Sequence, residues 1–558
     1  MLYKKLGYIG LVIGIVCALG FVPQDCQAAN YKFTGSSSVG TFVSGTNNVV
    51  GGFQSGGYQF LRPVLGDANV ALGYRVGNGI FGDNNTAIGS NSGDIVVGDN
   101  NTALGSNSGG SGGLLNGVLG DNNIAIGSGS GNGIIGDNNK AIGSNSGDIV
   151  IGDGNSATGN DSGNDILGDN NNATGNDSGD IVIGDGNSAS GNDSGNLVAG
   201  DGNSASGNDS GNLVAGDGNS ASGNGSGNLV AGDGNRASGN LAGNGIIGDN
   251  NNASGNGSGN LILGDANIAS GNLSGNLVAG GGNIATGNAA GNAVLGDSNI
   301  AIGNVAGNGI AANNTIAIGN TANASADGAM AIGLNSWATG TNAIAIGTGA
   351  GATGSVAVGA GSFASNGGSA FGDNSNATGS DSAAFGHNAS ATGFSSVAVG
   401  DDAQATGYNS VALGDDSYSS GHNSVALGAH SNDLGRSNTV SVGSPGNERT
   451  ISNVSPGVFG TDAVNMNQMR NKIHGLDRDL SGGIAAAAAQ MNVMPYLPGA
   501  WTVGMRGASY NGQGALGGTV SHWDCSGRWN VNAGISYGFT DTPIFSGGVS
   551  LVLGTINK

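Results

Sequence analysis

Acidic side chains recur at a fixed interval through the first half of the chain. Asp153, Asp169, Asp185 and Asp201 each follow a glycine and stand 16 residues apart. Carboxylates are the groups that hold Ca²⁺, so these four are the candidate cation ligands. The competing expectation is an Asx-turn, in which each carboxylate accepts a nearby backbone N–H. Carboxylates about 4.8 Å apart in water repel by only about 1 kcal/mol, so such a ladder requires no cation. The calcium-binding roll with a nine-residue repeat has a different period from this 16-residue one. The other candidate chemistries are weaker still. His387, His422, His430, His474 and His522 show no metal-ligand spacing in the sequence. No Gly-x-Ser-x-Gly elbow lies between a strand and a long helix. Carboxylates repeated along one edge do not converge in the cleft that acid–base work requires. The expectation is a non-enzyme that uses no cofactor.

A repeat positions the aspartates. Between Gly66 and Gly303 the pattern [Val/Ile]-x-Gly-x-x-Asn-x-Ala-x-Gly occurs fifteen times, with lead glycines from Gly66, Gly82 and Gly98 to Gly296. A Val or Ile precedes each lead glycine by two positions (Val64 to Val294). Asn follows each at three (Asn69 to Asn299) and Ala at five (Ala71 to Ala301). A stack of identical turns explains this register, because each turn presents the same side chain to the same layer of a continuous core.

Composition alone would suggest disorder: Gly is 116 of 558 residues, aromatics are 5% and charges 9%. The period overrides that reading. A formal charge of −22 argues against nucleic acid or an anionic membrane surface as partner. At the N-terminus Lys4 and Lys5 precede the apolar stretch Leu6 to Val22, and Cys26-Gln27-Ala28 suits cleavage after Ala28. Residues 1–28 therefore read as a secretory signal peptide, whose removal leaves Cys525 as the one cysteine.

Each 16-residue unit holds two short strands, such as Leu197-Val198-Ala199 and Ser204-Ala205-Ser206. With Val198 and Ala205 inside, Ser204 and Ser206 meet water, whereas Leu197 and Ala199 present an apolar outer face. A strand apolar on both faces is buried on both, so that side is expected to pack against other copies of the chain. The later units, ending in Ala-x-Gly at Gly319 to Gly428 and mostly 14 residues apart, repeat the logic with Val411-Ala412-Leu413 and Gln404-Ala405-Thr406. About 24 turns at roughly 4.8 Å each make a rod on the order of 115 Å.

The pattern gives these boundaries: an N-terminal cap at 29–62, a head of 16-residue repeats at 63–320, a head of 14-residue repeats at 321–434, a neck at 435–465, a short coiled-coil stalk at 466–484 and an anchor at 485–558. A short insertion falls around Gly109–Asn116. Met466, Met469, Ile473, Leu476 and Leu480 form the coiled-coil seam. Ala485, Ala486, Ala487, Ala488 and Ala489 give a small-faced helix. Four strands follow, beginning near Trp501, Ala515, Trp529 and Phe545. In the third, Trp529, Val531, Ala533, Ile535, Tyr537 and Phe539 alternate with Asn530, Asn532, Gly534, Ser536 and Gly538. Apolar-out, small-polar-in alternation is an outer-membrane barrel signal. Four strands cannot close a barrel, so more than one chain is expected to contribute.

These residues resemble the trimeric autotransporter adhesins, the YadA-like family of bacterial outer-membrane proteins. The resemblance rests on Ser410–Gly414 and Ser424–Gly428 (both SVALG), on a neck of Arg449, Thr450, Ile451, Ser452, Asn453, Val454, Gly457, Thr461, Asp462, Ala463, Val464 and Asn465, and on the C-terminal helix and strands. It implies a mainly β protein: a trimeric head of left-handed parallel β-roll, a short coiled-coil stalk, and a trimeric twelve-stranded outer-membrane β-barrel with three alanine-rich helices in its lumen. It also implies a self-exporting adhesin that attaches to host cells, extracellular matrix or other surfaces and self-associates. The implied partners are the other two chains of a homotrimer, outer-membrane lipid, the barrel-assembly machinery, and host surface or matrix proteins. The implied location is the bacterial outer membrane with the head at the cell surface, the signal peptide being removed in the periplasm. The family usually closes on an aromatic strand residue, whereas this sequence closes on Leu553-Gly554-Thr555-Ile556-Asn557-Lys558, a departure that bears on insertion. The ligand-binding face expected is the Ser-rich second strand, with Ser188, Ser204, Ser206 and Ser220. A rigid surface-layer spacer for self-association, and a calcium- or ice-binding solenoid, are the alternatives.

Overall fold

The computed structural model describes residues 31–33, 43–52, 63–77, 79–93, 95–109, 117–490, 495–538 and 543–554. The expected signal peptide, most of the expected cap, nearly all of the insertion, Phe539 and the last four residues lie outside them. The chain forms two compact units, Met1–Glu448 and Arg449–Lys558.

The first unit is a parallel β-solenoid. Successive units stack with the same residue always paired to itself: Ala189 with Ala205 and Ala221, Val198 with Val182 and Val214. Val198 and Ala205 are each 3% exposed and form the core, while Leu197, Ser204 and Ser206 face outward, as the alternation predicts. The invariant Asn is one polar column of this core, beside the buried serines Ser178, Ser194 and Ser210. Asn203 Oδ1 accepts the backbone N–H of Asn219 at 2.9 Å, and its Nδ2 donates to the Gly216 carbonyl at 2.8 Å. Two buried polar groups are thus satisfied in every turn, which is why no apolar residue replaces Asn there. The lead glycine is required sterically. At Gly200 φ is +120°, and a Cβ would lie 2.2 Å from the Gly216 carbonyl oxygen.

The outward faces need one correction. The strands of one 27-stranded sheet include both Ser204–Ser206 and Val411–Leu413, whereas Leu197–Ala199 belongs to a 16-stranded sheet ending at Val294–Leu295. The 14-residue units therefore do not repeat the earlier arrangement. Their apolar strand continues the sheet that carried the serine rungs. Its outward column runs from Thr158, Ser190 and Ser206 to Ile302, Ile318, Phe385 and Leu413. The reason is that register follows the core alanine (Ala301 with Ala317 and Ala331), which is indifferent to what points outward.

In the second unit a single helix, α1 (Met466–Ala489), joins the stretch expected as stalk to the alanine run. After it come β1 (Trp501–Tyr510), β2 (Gln513–Trp523), β3 (Trp529–Gly538) and β4 (Ile544–Leu551), paired antiparallel in that order. Within this sheet β1 and β4 each pair on one side only.

Candidate functional site

The Asp ladder is a set of hydrogen bonds between turns. Asp169 Oδ1 accepts the N–H of Asp153, Asp185 Oδ1 that of Asp169, and Asp201 Oδ1 that of Asp185, each at 2.8 Å. The Asx-turn expectation is corrected in its partner: the donor lies one full turn back. A carboxylate spans this gap because the stacking that aligns the turns brings each N–H under the next side chain.

A second acidic group stands out electrostatically. Burial, and then the neighbouring charges of Asp177, Asp161, Asp165 and Asp193, push the Asp180 carboxyl up to about 6. Burial likewise raises Asp148, against the pull of the Asn132 side chain and with Asp161 and Asp165 adding to it. Most turns carry Asn at this position (Asn164, Asn196, Asn212, Asn228). The sign follows. A carboxyl raised above its unfolded value of about 3.9 costs the folded state its ionisation, so the head is more stable below that value and loses stability as pH rises through about 6. Asp180→Asn is expected to raise the thermal midpoint at pH near 7.5 and to shrink the difference between that pH and pH near 5, read by calorimetry. Equal pH profiles for the two proteins would contradict this.

Two of the histidines have acidic neighbours in space. His387, Asp401 and Asp402 form one group, and Asp415, Asp416 and His430 another, with ligand atoms in each group all within 4.8 Å of one another. His387 Nδ1 lies 2.7 Å from Asp401 Oδ1, and His430 Nδ1 lies 3.3 Å from Asp416 Oδ2. The signal was in the sequence. His387 precedes Asp401 by 14 residues, which is one turn, so adjacency in space is set by the repeat and not by a short motif.

The neck residues make a compact set of backbone clamps. Asp462 Oδ2 accepts the N–H groups of Val458 and Phe459 at 2.8 and 2.9 Å. Asn465 caps α1 by accepting the Gln468 N–H at 2.8 Å and donates to the Val454 carbonyl at 2.9 Å. Gln468 holds Gly457 from both sides, accepting its N–H and donating to its carbonyl. Asn453 sits in the left-handed region at φ 62°, where Asn is among the few non-glycine residues at ease. Arg449, Thr461, Ala463 and Val464 are exposed.

On α1 the seam residues Met466, Met469, Ile473, Leu476 and Leu480 are exposed. Of the five alanines, Ala485, Ala486 and Ala489 are buried, packed on the sheet with Ala515, while Ala487 and Ala488 are exposed. The sheet meets the helix with its small face: Cβ atoms on Gly517 and Gly538 would lie 2.4 Å from the carbonyl oxygens of Ala489 and Gly482. The other face is apolar and open, with Trp501, Val503, Met505, Leu516, Ile535 and Phe545 exposed. No helix among the described residues is long and apolar enough to cross a membrane.

Comparison with known proteins fits this anatomy. The YadA head domain repeat matches residues 311–336, 324–350, 338–364, 365–389, 391–417 and 405–431. The YadA-like membrane anchor domain matches residues 493–553. The autotransporter adhesin EhaG of Escherichia coli O157:H7 is 36% identical over 112 residues, covering 17% of this chain and 7% of EhaG. The chain thus matches only a small part of that relative's length. The crystal structure of the collagen-binding domain of the Yersinia adhesin YadA is 34% identical, covers 29% of this chain and 84% of that one, and has a TM-score of 0.24. Head repeats followed by a membrane anchor domain are what this chain shares with autotransporter adhesins. The chain carries matches to the YadA head domain repeat and to the YadA-like membrane anchor domain. The 16-residue array before residue 311 lies outside those two matches.

Proposed function

We propose that the chain is a homotrimeric adhesin that exports its own head and displays it at the surface of the bacterial outer membrane. One observation carries this reading: a four-stranded antiparallel sheet with two open edges, an apolar outer face and a helix on its small-residue face. Open edges are not viable in lipid. Three copies supply twelve strands, an even number that closes a barrel, and each brings its own helix to the inside. The exposed seam on α1 gives the three helices a surface on which to meet. The head then attaches by multivalency, since three identical solenoids repeat weak contacts along their length. Ser188, Ser204, Ser206 and Ser220 form a polar rung surface suited to this, with host surface or matrix proteins as ligands. The test is gel mobility of the outer-membrane fraction, unheated and then unfolded in strong denaturant. The expected result is a band near three times the chain mass that collapses on denaturation. Monomer recovered only from the medium would overturn the anchor reading.

A further inference from the structure

In the 14-residue units the two residues after each Ala-x-Gly ending form the tip of a turn. On four consecutive turns these tips read His387-Asn388, Asp401-Asp402, Asp415-Asp416 and Ala429-His430. Backbone bonds hold the tips in stack: Asp402 N–H to the His387 carbonyl and Asp416 N–H to the Asp401 carbonyl, both at 2.9 Å, and His430 N–H to the Asp415 carbonyl at 2.6 Å. The result is a stripe of four carboxylates with one imidazole at each end.

Two features separate this stripe from the Asp ladder. First, each end offers three donors of mixed type, an imidazole nitrogen and two carboxylates, already within 4.8 Å of one another. Tetrahedral zinc, with bonds of about 2.0–2.2 Å, needs donors roughly 3.4 Å apart, a small closure from the present spacing. Second, nothing in the surrounding sequence neutralises the stripe. There is no Lys or Arg between Arg236 and Arg436. The counter-charge for four stacked carboxylates must come from solution.

We propose that these tips form two divalent-metal sites, one from His387, Asp401 and Asp402 and the other from Asp415, Asp416 and His430. Zinc fits best. Ca²⁺ takes six to eight oxygen ligands, whereas three donors including an imidazole match the three-ligand zinc arrangement that leaves a fourth position open. In a repeating display scaffold such a position is a ready point of attachment for a carboxylate or imidazole of a bound surface. The inference stands whether or not the head adheres.

The experiment uses the full chain extracted in detergent, dialysed against Zn²⁺ alone, with bound zinc per chain read by atomic emission. His387→Ala and His430→Ala are each expected to remove one zinc per chain, and the pair to remove two. Both histidine side chains are largely exposed, at 54% and 61%, so the metal-free thermal midpoint should be unchanged and serves as the folding control. Zinc content unaffected by both substitutions would overturn the proposal. So would displacement of the zinc by millimolar Ca²⁺, since oxygen-only binding gives the imidazoles no part. Asp402→Asn provides a second test at the first site, with loss of one zinc expected there and retention counting against it.

Discussion

Asp433→Ala is expected to unravel the C-terminal end of the solenoid, with a loss of about 3–5 kcal/mol spread over its last turns. In the core column of the 14-residue units the residues run Ala377, Ala391, Ala405, Ser419, Asp433. The alanines are the core, and the last two members close it. Asp433 is 0% exposed. Its carboxylate accepts the N–H groups of Ser420, Gly421 and Gly435 at 2.9–3.1 Å, the hydroxyl of Ser419 at 2.9 Å and the hydroxyl of Ser424. These include donors that a further turn would otherwise satisfy. Burial works to raise this carboxyl, but the Ser424 hydroxyl and the three N–H groups outweigh it and hold it well below the ordinary carboxylate range. Truncation leaves several buried donors without a partner, each costing about 1–3 kcal/mol. Arg436 then becomes cleavable, and the absence of Lys and Arg back to Arg236 makes trypsin report the event as one defined product. Faster release of that product from Asp433→Ala, with Gln404→Ala as the exposed control expected to stay within about 0.5 kcal/mol of the parent, is the outcome sought. Equal cleavage rates would show that the plug contributes nothing.

The same residue sets the acid limit of the head. A carboxyl depressed in the fold contributes stability above its unfolded value of about 3.9 and loses it as pH falls below that. Asp180 acts in the opposite sense, costing stability as pH rises towards about 6 and beyond. For these two groups together stability is greatest near pH 4, where Asp433 is ionised and Asp180 is still largely protonated.

Legibility differed by kind of feature. The inward positions of Val198 and Ala205 and the polar outer face at Ser204 and Ser206 followed from side-chain alternation, because the fifteen copies of the pattern fix the register independently of outside contacts. The apolar-out alternation of Trp529, Val531, Ile535 and Tyr537 was legible because a long strand turns successive side chains to opposite faces. What escaped was anything set by how one turn aligns with the next. The continuity of one sheet from Ala301 to Ala317 follows the core alanine, while outward polarity points to the other strand. The His387–Asp401 contact joins residues 14 positions apart that no local motif relates. Asp433 breaks the repeat's own rule by putting a carboxylate where alanine belongs, and only the donors gathered around it explain it. In a solenoid the period is itself a contact map, so columns read down the stack carry information that a motif read along the chain lacks.

Widening the small face of the sheet is expected to block export while leaving the outer face of the sheet intact. Gly517→Val and Gly538→Val place a branched side chain where the backbone of α1 now lies. Already the Cβ would stand 2.4 Å from a carbonyl oxygen of Ala489 or Gly482, contacts with backbone that no rotamer change relieves. Overpacking a fitted contact costs about 1–3 kcal/mol when neighbours can shift. Here the neighbour is a helix that Ala485, Ala486 and Ala489 already press against Ala515, so the helix must move away. In the proposed barrel a helix displaced from the wall occupies the lumen through which the head passes. Whole-cell protease digestion is therefore expected to find at least tenfold less surface-exposed head in either variant, with the chain still in the membrane fraction. Gly518→Val is the control. It lies next to Gly517 in the same strand but on the opposite face, where an added Cβ meets nothing within 4 Å. If Gly518→Val abolishes display as fully as Gly517→Val, the sheet is intolerant of any added bulk. The packing of α1 against the glycine face would then not be what export depends on.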